Sequence, residues 1–573
     1  MLAIRLPVVD TRRCQLLGLA GSTALAAGGA TAGALPVREV LAAGSGRAAL
    51  GLVGVYFGLV LLITGWALLG RAVRGPEPPG RRTLLLTLCL WAAPLVLAPP
   101  LFSRDVYSYL AQGAMVEARM DVYAYGPSQL GGHLPAEVAP LWQHTPAPYG
   151  PVFLALASAI ADASRAEVAS GVFGMRVVAL LGVALMALCL PALARHCGAD
   201  PAAALWLGAL NPLVLLHLVG GAHNDAVMLG LLGAGLVAAL GRWPVLGAVL
   251  VTLAALVKAP AALGLAAVAA LWARRRTGSG LSGSGPAGWR STHGGPAGWR
   301  STHGRPSDWR STHGRPSDWR STDSGPSDWR STDSGPSDWR STDSGPSDWR
   351  STHGRPSDWR STDSGPADSG PAGRRSAYAL AALGVLAVSA ATTVVTTALT
   401  GTGYGWMSAL DTPVSPENWS LTSSLGRMTH RLLEGAGSGL APFATPAWHM
   451  TGLAATALAI LLVWRRHQLR RPLYALGLSL TAVALLGPAI RPWYVLWGLF
   501  LIAAAGPDRS VRRAVAAGSG VLALAVLPSG FAPDGRQLAL ATAGGLLAVF
   551  TLWCAYLAAR RGRSASPAAG SPV

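Results

Sequence analysis

The sequence predicts an all-α polytopic membrane protein, and three observations carry the prediction. Only 13% of its 573 residues are charged and 51% are hydrophobic, with a mean hydropathy of +0.38; a soluble domain carries about 25% charged residues. Apolar runs of about 18 residues or more, each enough to cross about 30 Å of hydrocarbon, recur along almost the whole chain. The runs are continuous and not alternating, which argues against a membrane β-barrel.

The first apolar segment, 14–34, follows Arg5, Arg12 and Arg13 and ends in Ala32-Gly33-Ala34. A cleaved signal peptide has the same basic, apolar and small-residue order; we read the segment as an uncleaved first helix. Further spans are expected near 48–70, 83–98, 173–194, 202–219, 225–241, 244–257, 259–273, 377–399, 447–464, 472–489, 493–506, 512–529 and 537–559, about 13–14 in all. The pair within 244–273 is one broken helix or two. The stretch 151–163, PVFLALASAIADA, has 13 residues, too few to cross, and is expected as an interfacial or re-entrant helix.

Arginine sets the expected sidedness. Arg71, Arg74, Arg81 and Arg82 lie in one loop, and Arg195, Arg242 and Arg274 to Arg276 end later spans. Arg465, Arg466, Arg470 and Arg471, then Arg509, Arg512 and Arg513, then Arg560, Arg561 and Arg563 come after these. With the N-terminus inside, all these clusters fall on the cytoplasmic side, as the positive-inside rule requires. The formal net charge of +19 is therefore a topology signal, and nucleic acid is not expected as a partner. None of the five cysteines, Cys14, Cys89, Cys189, Cys197 and Cys554, belongs to a CxxC pair; they read as small buried hydrophobes.

Residues 277–375 break the pattern by repeating a unit such as GPSDWRSTDS, with Trp289 through Trp359 recurring every ten residues. Such a segment has no apolar face to bury and is expected to be a disordered cytoplasmic insert. It divides the chain into 1–276, an N-terminal catalytic part with an extracytoplasmic loop at 99–150, and 376–573, a C-terminal transmembrane part.

With sidedness set, polar residues collect at one membrane face. The loop 99–150 carries Arg104, Asp105, Asp121, His133, Glu137 and His144. His217 and the His223-Asn224-Asp225 run open onto the same face, as do Lys258, the only lysine in the chain, and Arg491 in RPWYVLW. The loop 400–446 adds Tyr404, Trp406, Asp411, Glu417, Asn418, Trp419, Arg427, His430 and Arg431. Taken singly, each reads as well as a cap, a solvated loop charge or a snorkelling side chain. Polar groups at membrane depth are costly and mark substrate or ion paths when they gather. Cations at headgroup depth suit a lipid phosphate, a carboxylate beside them suits a general base, and Trp and Tyr suit a sugar face. The sum points to a lipid-phosphate-linked sugar used outside the cytoplasm. A lipid transporter or flippase is the competing reading; it predicts charges within spans and matching halves with broken helices.

The motifs SRDVYSYLAQG, DVYAYGP, TPAPYGPVF, NPLVLLHLVGGAHND, ALVKAPA and RPWYVLW resemble those of the actinobacterial polyprenol-phosphomannose-dependent α-1,6-mannosyltransferases, members of the C-type glycosyltransferase superfamily. The resemblance covers about 48–276 and 377–530. It implies a multi-helix membrane fold with a catalytic carboxylate on the first large extracytoplasmic loop. It also implies a polyprenyl-phosphate β-mannose donor and transfer with inversion to a mannan or glycolipid acceptor. Carried onto this chain, Asp105 takes the base position, and Arg104, Lys258 and Arg491 become candidates for the donor phosphate. Tyr107, His223, Asn224, Asp225, Trp493 and Tyr494 become candidates for sugar or acceptor. No cofactor or metal is required, because Arg and Lys can neutralise the leaving phosphate. The chain departs from the family at Val122, where the family carries proline.

Overall fold

The computed structural model describes residues 10–35, 45–277, 371–411, 420–467, 471–529 and 534–564. The decapeptide repeats and residues 417–419 lie outside the described residues. Contacts divide the chain into one unit of residues 1–273 with 378–573 and another of residues 274–377. The candidate site and the helices that position it belong to the first unit.

We number the longer α-helices α1 (Thr11–Ala32), α2 (Gly46–Val73), α3 (Arg81–Leu97), α4 (Asp105–Glu117), α5 (Pro151–Ala163), α6 (Val168–His196), α7 (Pro201–Gly208), α8 (Asp225–Leu240), α9 (Pro244–Ala255), α10 (Gly264–Arg276), α11 (Pro371–Thr400), α12 (Leu421–Gly435), α13 (Ala444–His467), α14 (Pro472–Leu486), α15 (Val495–Ala505), α16 (Arg509–Leu524) and α17 (Gly535–Ser564). Among the described residues a helix lies over each segment expected as a span. Proline punctuates the series: Pro151, Pro201, Pro244 and Pro472 each open a helix, where the missing N–H has no intrahelical partner to lose. Polar caps open others. The Glu167 carboxylate accepts from Ala169 N at 3.1 Å and Ser170 N at 2.7 Å, and Asp200 caps α7 in the same way.

The protein is an all-α polytopic membrane protein, and among the described residues fewer than 13–14 single helices are long and apolar enough to cross by themselves. Five described helices are long and apolar enough to cross alone, and one bent pair brings the total to six at most. The physical reason is that several apolar helices are short: α9 has 12 residues, α14 has 15 and α15 has 11. At about 1.5 Å per residue none of them reaches across the hydrocarbon. The outer helices are apolar where they are exposed. Leu380, Leu383, Leu386 and Phe550 all face outward, which is unfavourable in water and costs nothing in lipid.

Close helix contacts are made through small residues, as membrane interfaces favour. α1 runs along α2, α6 packs on α8, α8 on α9, and α4 on α5. A Cβ on Gly182 of α6 would stand 2.4 Å from the Ala226 carbonyl carbon at the start of α8. That approach seats the N-terminus of α8 and its Asp225. Gly182→Val is therefore expected to destabilise the protein by about 1–3 kcal/mol through overpacking, read as a shorter half-life at fixed temperature in detergent. An unchanged half-life would show that α6 and α8 can part without cost.

Candidate functional site

The site is assembled from helix ends and breaks, where backbone turns present side chains that a continuous helix would bury in its own flank. The chain leaves α3 through Phe102, whose φ is 66°, a region that bulky residues rarely occupy. The turn is held by Phe102 N donating to Pro528 O at 2.8 Å. It places Asp105 at the first position of α4, with its backbone N–H donating to Ser103 Oγ at 3.1 Å. The second contributor is a π-helical turn, Val214–Gly220, which meets α8 at a bend of 108°. Ala222, with φ 53°, lies in that break. The break carries His217, His223 and Asn224 and sets Asp225 at the first position of α8. Both Asp105 and Asp225 thus sit at helix N-termini, where the aligned peptide dipoles favour a negative charge by about 0.3–1 kcal/mol at exposed sites. Lys258 lies just past the end of α9, in extended backbone that opens the short 3-10 turn Ala259–Leu263, where Pro260 takes a first-turn position. Arg491 and Pro492 interrupt the chain between α14 and α15 and present Trp493 and Tyr494.

Asp225 is fully buried, and its two oxygens accept from Lys258 Nζ at 3.0 and 2.9 Å. Trp497 Nε1 donates to Asp225 Oδ1 at 2.5 Å. Lys258 also lies 4.6 Å from the ring centre of Tyr494, which stacks on Trp497 at 4.2 Å. This is a closed ion pair walled by two aromatic rings. Asp105 differs: 18% of its side chain is exposed, and Oδ2 lies 3.7 Å from His223 Nδ1, too far for a hydrogen bond. Burial holds its carboxyl above the ordinary carboxylate range, against the opposing pull of the Arg491 and Lys258 cations and the Ser103 hydroxyl.

His223 links the two halves. Its Nδ1 is 3.2 Å from the Tyr109 hydroxyl, and its ring stacks on Trp493 at 3.9 Å. Tyr109 is itself held edge-on by Tyr149 at 5.3 Å and Phe153 at 5.0 Å. Around this core His223 Nε2, both ring nitrogens of His217, the Asn224 amide and Trp493 Nε1 are buried with no hydrogen-bond partner among the described residues. Such groups are costly when left unmade, and their clustering beside a part-exposed carboxylate is what a polar ligand would satisfy.

The structure thus brings Asp105, His223, Asn224, Asp225, Lys258, Arg491, Trp493 and Tyr494 to one place. It does not bring Arg104 and Tyr107 there. The Arg104 guanidinium donates to the Leu35 carbonyl, and the Tyr107 hydroxyl donates to Ala34 O at 2.8 Å, so both are held by the end of α1. Asp121 is also apart: its carboxylate accepts from Tyr123 N at 2.9 Å and Ala124 N at 3.2 Å, a self-contained turn that stands where the proline would. Trp497 and Arg176 were not singled out from the sequence. Trp497 closes the RPWYVLW motif one helical turn after Trp493, which was the available signal. Arg176, buried in α6, ties the end of α3 to the π-helical turn by donating to Ala98 O at 2.6 Å and Gly220 O at 3.1 Å.

Comparison with known proteins places this geometry in context. A family model described as alpha-(1->6)-mannopyranosyltransferase, N-terminal domain, matches residues 15–274, and one described as the MptB C-terminal domain matches residues 423–556. Asp105, His223, Asp225 and Lys258 fall in the first match and Arg491 to Trp497 in the second. The chain is similar to alpha-(1->6)-mannopyranosyltransferase A of Mycobacterium tuberculosis, 30% identical over 577 residues, covering 97% of this chain and 92% of that protein. A probable alpha-(1->6)-mannopyranosyltransferase of Mycolicibacterium smegmatis is 37% identical over 305 residues, 46% of this chain and 55% of its own length. Alpha-(1->6)-mannopyranosyltransferase B of Corynebacterium glutamicum is 36% identical over 299 residues, 45% of this chain and 48% of its own length. No solved structure matches the chain.

Proposed function

The chain belongs to the alpha-(1->6)-mannopyranosyltransferase family and is a membrane glycosyltransferase; on that premise we propose that it moves mannose from a polyprenyl-phosphate donor to an extracytoplasmic mannan or glycolipid acceptor, forming an α-1,6 bond with inversion. The observation that carries the reading is the contrast between two carboxylates in one site. Asp225 is saturated by Lys258 and Trp497, whereas Asp105 is part-exposed and open beside cations. In the proposed reaction the acceptor 6-hydroxyl loses its proton to the Asp105 carboxylate. Its oxygen bonds to the mannose C1 as the C1–O bond to phosphate breaks, and polyprenyl phosphate leaves. Arg491, aided by the Lys258 cation, compensates the charge that grows on the leaving phosphate. His223, Asn224 and Trp493 supply unmet hydrogen-bonding groups for sugar hydroxyls. Arg104 and Tyr107 take a supporting part, because both are held against α1.

The test is to incubate membranes with labelled polyprenyl-phosphate mannose and a short α-mannoside, then map the product linkage. A new α-1,6 bond is expected. Movement of intact lipid across the bilayer without transfer would favour the transporter reading instead.

The same geometry makes turnover pH-dependent. Asp105 must be ionised to act as base, so turnover is lost as pH falls through its pKa, which burial has raised. The Arg491 cation opposes that rise. Arg491→Gln removes the opposition, so the acid limb of the rate profile is expected to move to higher pH, together with weaker donor use. An acid limb unmoved by Arg491→Gln would separate Arg491 from Asp105.

A further inference from the structure

A second pocket lies at the other end of α2. α2 has 28 residues, which span about 42 Å. Its first turn adjoins the Asp105 side: Thr31 Oγ1 donates to Arg47 O at 3.1 Å, and nearby Ala34 accepts from Tyr107. Its last turn ends at Arg74, on the opposite side. There Arg74 meets Arg509, Arg512 and Arg513 of α16 around a cavity of about 680 Å³.

The floor of the cavity is a built element. Trp66 of α2 and Trp206 of α7 stack at 5.0 Å with an interplanar angle of 20°. Each indole N–H donates to the other residue's carbonyl, at 3.0 and 2.9 Å. The Arg74 guanidinium lies 4.9 Å over the Trp206 ring. Both indoles are thereby buried and satisfied, and the arginines above them are left facing the cavity. No acidic residue lines it among the described residues. The cations act on one another: burial, and then Arg512, Arg513 and Arg71, push the Arg74 guanidinium below its ordinary range. Toward the flank the wall becomes apolar, with Ile63, Val521 and Leu524. The cavity is thus cationic above and hydrocarbon-like at the side, in the wall of a membrane helix.

We propose that this cavity binds an anionic phospholipid of the leaflet opposite the Asp105 site, its phosphodiester among Arg74, Arg512 and Arg513 and an acyl chain along Ile63, Val521 and Leu524. Arginine matches phosphate oxygens bidentately. Basic pockets between membrane helices are known headgroup sites, and each arginine near an anionic headgroup contributes about 1 kcal/mol. Four arginines exceed the charge of one phosphodiester, so a lipid with two phosphates, such as cardiolipin, is the best match. The bound lipid would join α2 and α16, whose arginines otherwise repel one another at this end.

The test uses the full-length protein reconstituted in phosphatidylcholine vesicles that contain a small fraction of spin-labelled cardiolipin. Motionally restricted label is measured at the protein. Arg74→Gln/Arg512→Gln/Arg513→Gln is expected to lower cardiolipin association roughly 100-fold, while Arg465→Gln/Arg466→Gln, at the end of α13, leaves it unchanged. The triple Arg→Lys variant controls for folding and is expected to keep most of the binding. If the Gln triple is not recovered, Arg513→Glu, at an exposed position, must still weaken binding. Equal loss in the α13 pair would overturn the proposal in favour of a general surface charge effect. Displacement of the label by inorganic phosphate alone would overturn it in favour of a free-phosphate site, and undiminished binding in the Gln triple would show that the lipid does not bind at these arginines.

Discussion

Asp105→Asn is expected to lower turnover by about 10²–10⁴-fold, the usual worth of a general base, with donor affinity close to that of the native protein. Asn keeps the size of the side chain and its place at the start of α4, and Asn and Asp serve helix starts about equally well. What it removes is the basic oxygen. The measurement is single-turnover transfer on purified, folded protein alongside donor affinity. Two other acids calibrate the result. Asp121→Asn is expected to be near-neutral, because Asp121 only holds an exposed turn whose N–H groups an Asn oxygen can also accept. Asp225→Asn is expected to lose stability before it loses chemistry. Near-normal turnover in Asp105→Asn with an inactive, stable Asp225→Asn would transfer the base role to Asp225.

The second large effect concerns Lys258. Lys258→Met leaves the Asp225 carboxylate fully buried with Trp497 as its remaining partner. Breaking a buried pair from one side costs about 3–5 kcal/mol, whereas replacing both partners by neutral groups is often close to neutral. Lys258→Met is therefore expected to shorten the half-life of the protein sharply at fixed temperature, and Lys258→Met/Asp225→Asn to recover much of it. Large proteins commonly unfold irreversibly in vitro, so the half-life is the proper readout. If the double variant is stable yet transfers poorly, the pair serves the donor phosphate as well as the fold. If the single variant is as stable as the native protein, the pair is not closed as described.

The membrane character, the helix over each apolar run and most of the residues that the fold gathers around Asp105 could be read from the sequence. The causes are local: an apolar run of given length becomes a helix in lipid, because its backbone has no other way to satisfy its polar groups. The Gly-Gly-Ala-His run breaks its helix and a proline at a helix start fixes where that helix begins, whereas Pro94 and Pro191 are carried inside α3 and α6. The motifs quoted for the family are these breaks, which is why Asp105, His223, Lys258 and Arg491 could be named. The lengths of the individual helices could not be read so well, since an apolar run is longer than the helix wherever a turn or a π-helical segment interrupts it.

Pairing was decided by tertiary structure alone. Nothing in ALVKAPA says that Lys258 faces Asp225, 33 residues away, rather than a ligand, nor that Trp497 reaches the same carboxylate from 272 residues away. Those contacts depend on how closely α6, α8, α9 and α15 approach, and Gly182 sets one of those distances at a point with no charge of its own. The same holds for Arg104. It adjoins Asp105 in sequence, yet a residue before the first turn of α4 points away from the residue that begins it, and the carbonyl of Leu35 at the end of α1 takes its guanidinium. Residue types and helix breaks were local properties and therefore legible. Which cation meets which anion depended on helix packing across hundreds of residues, and only the folded chain decided it.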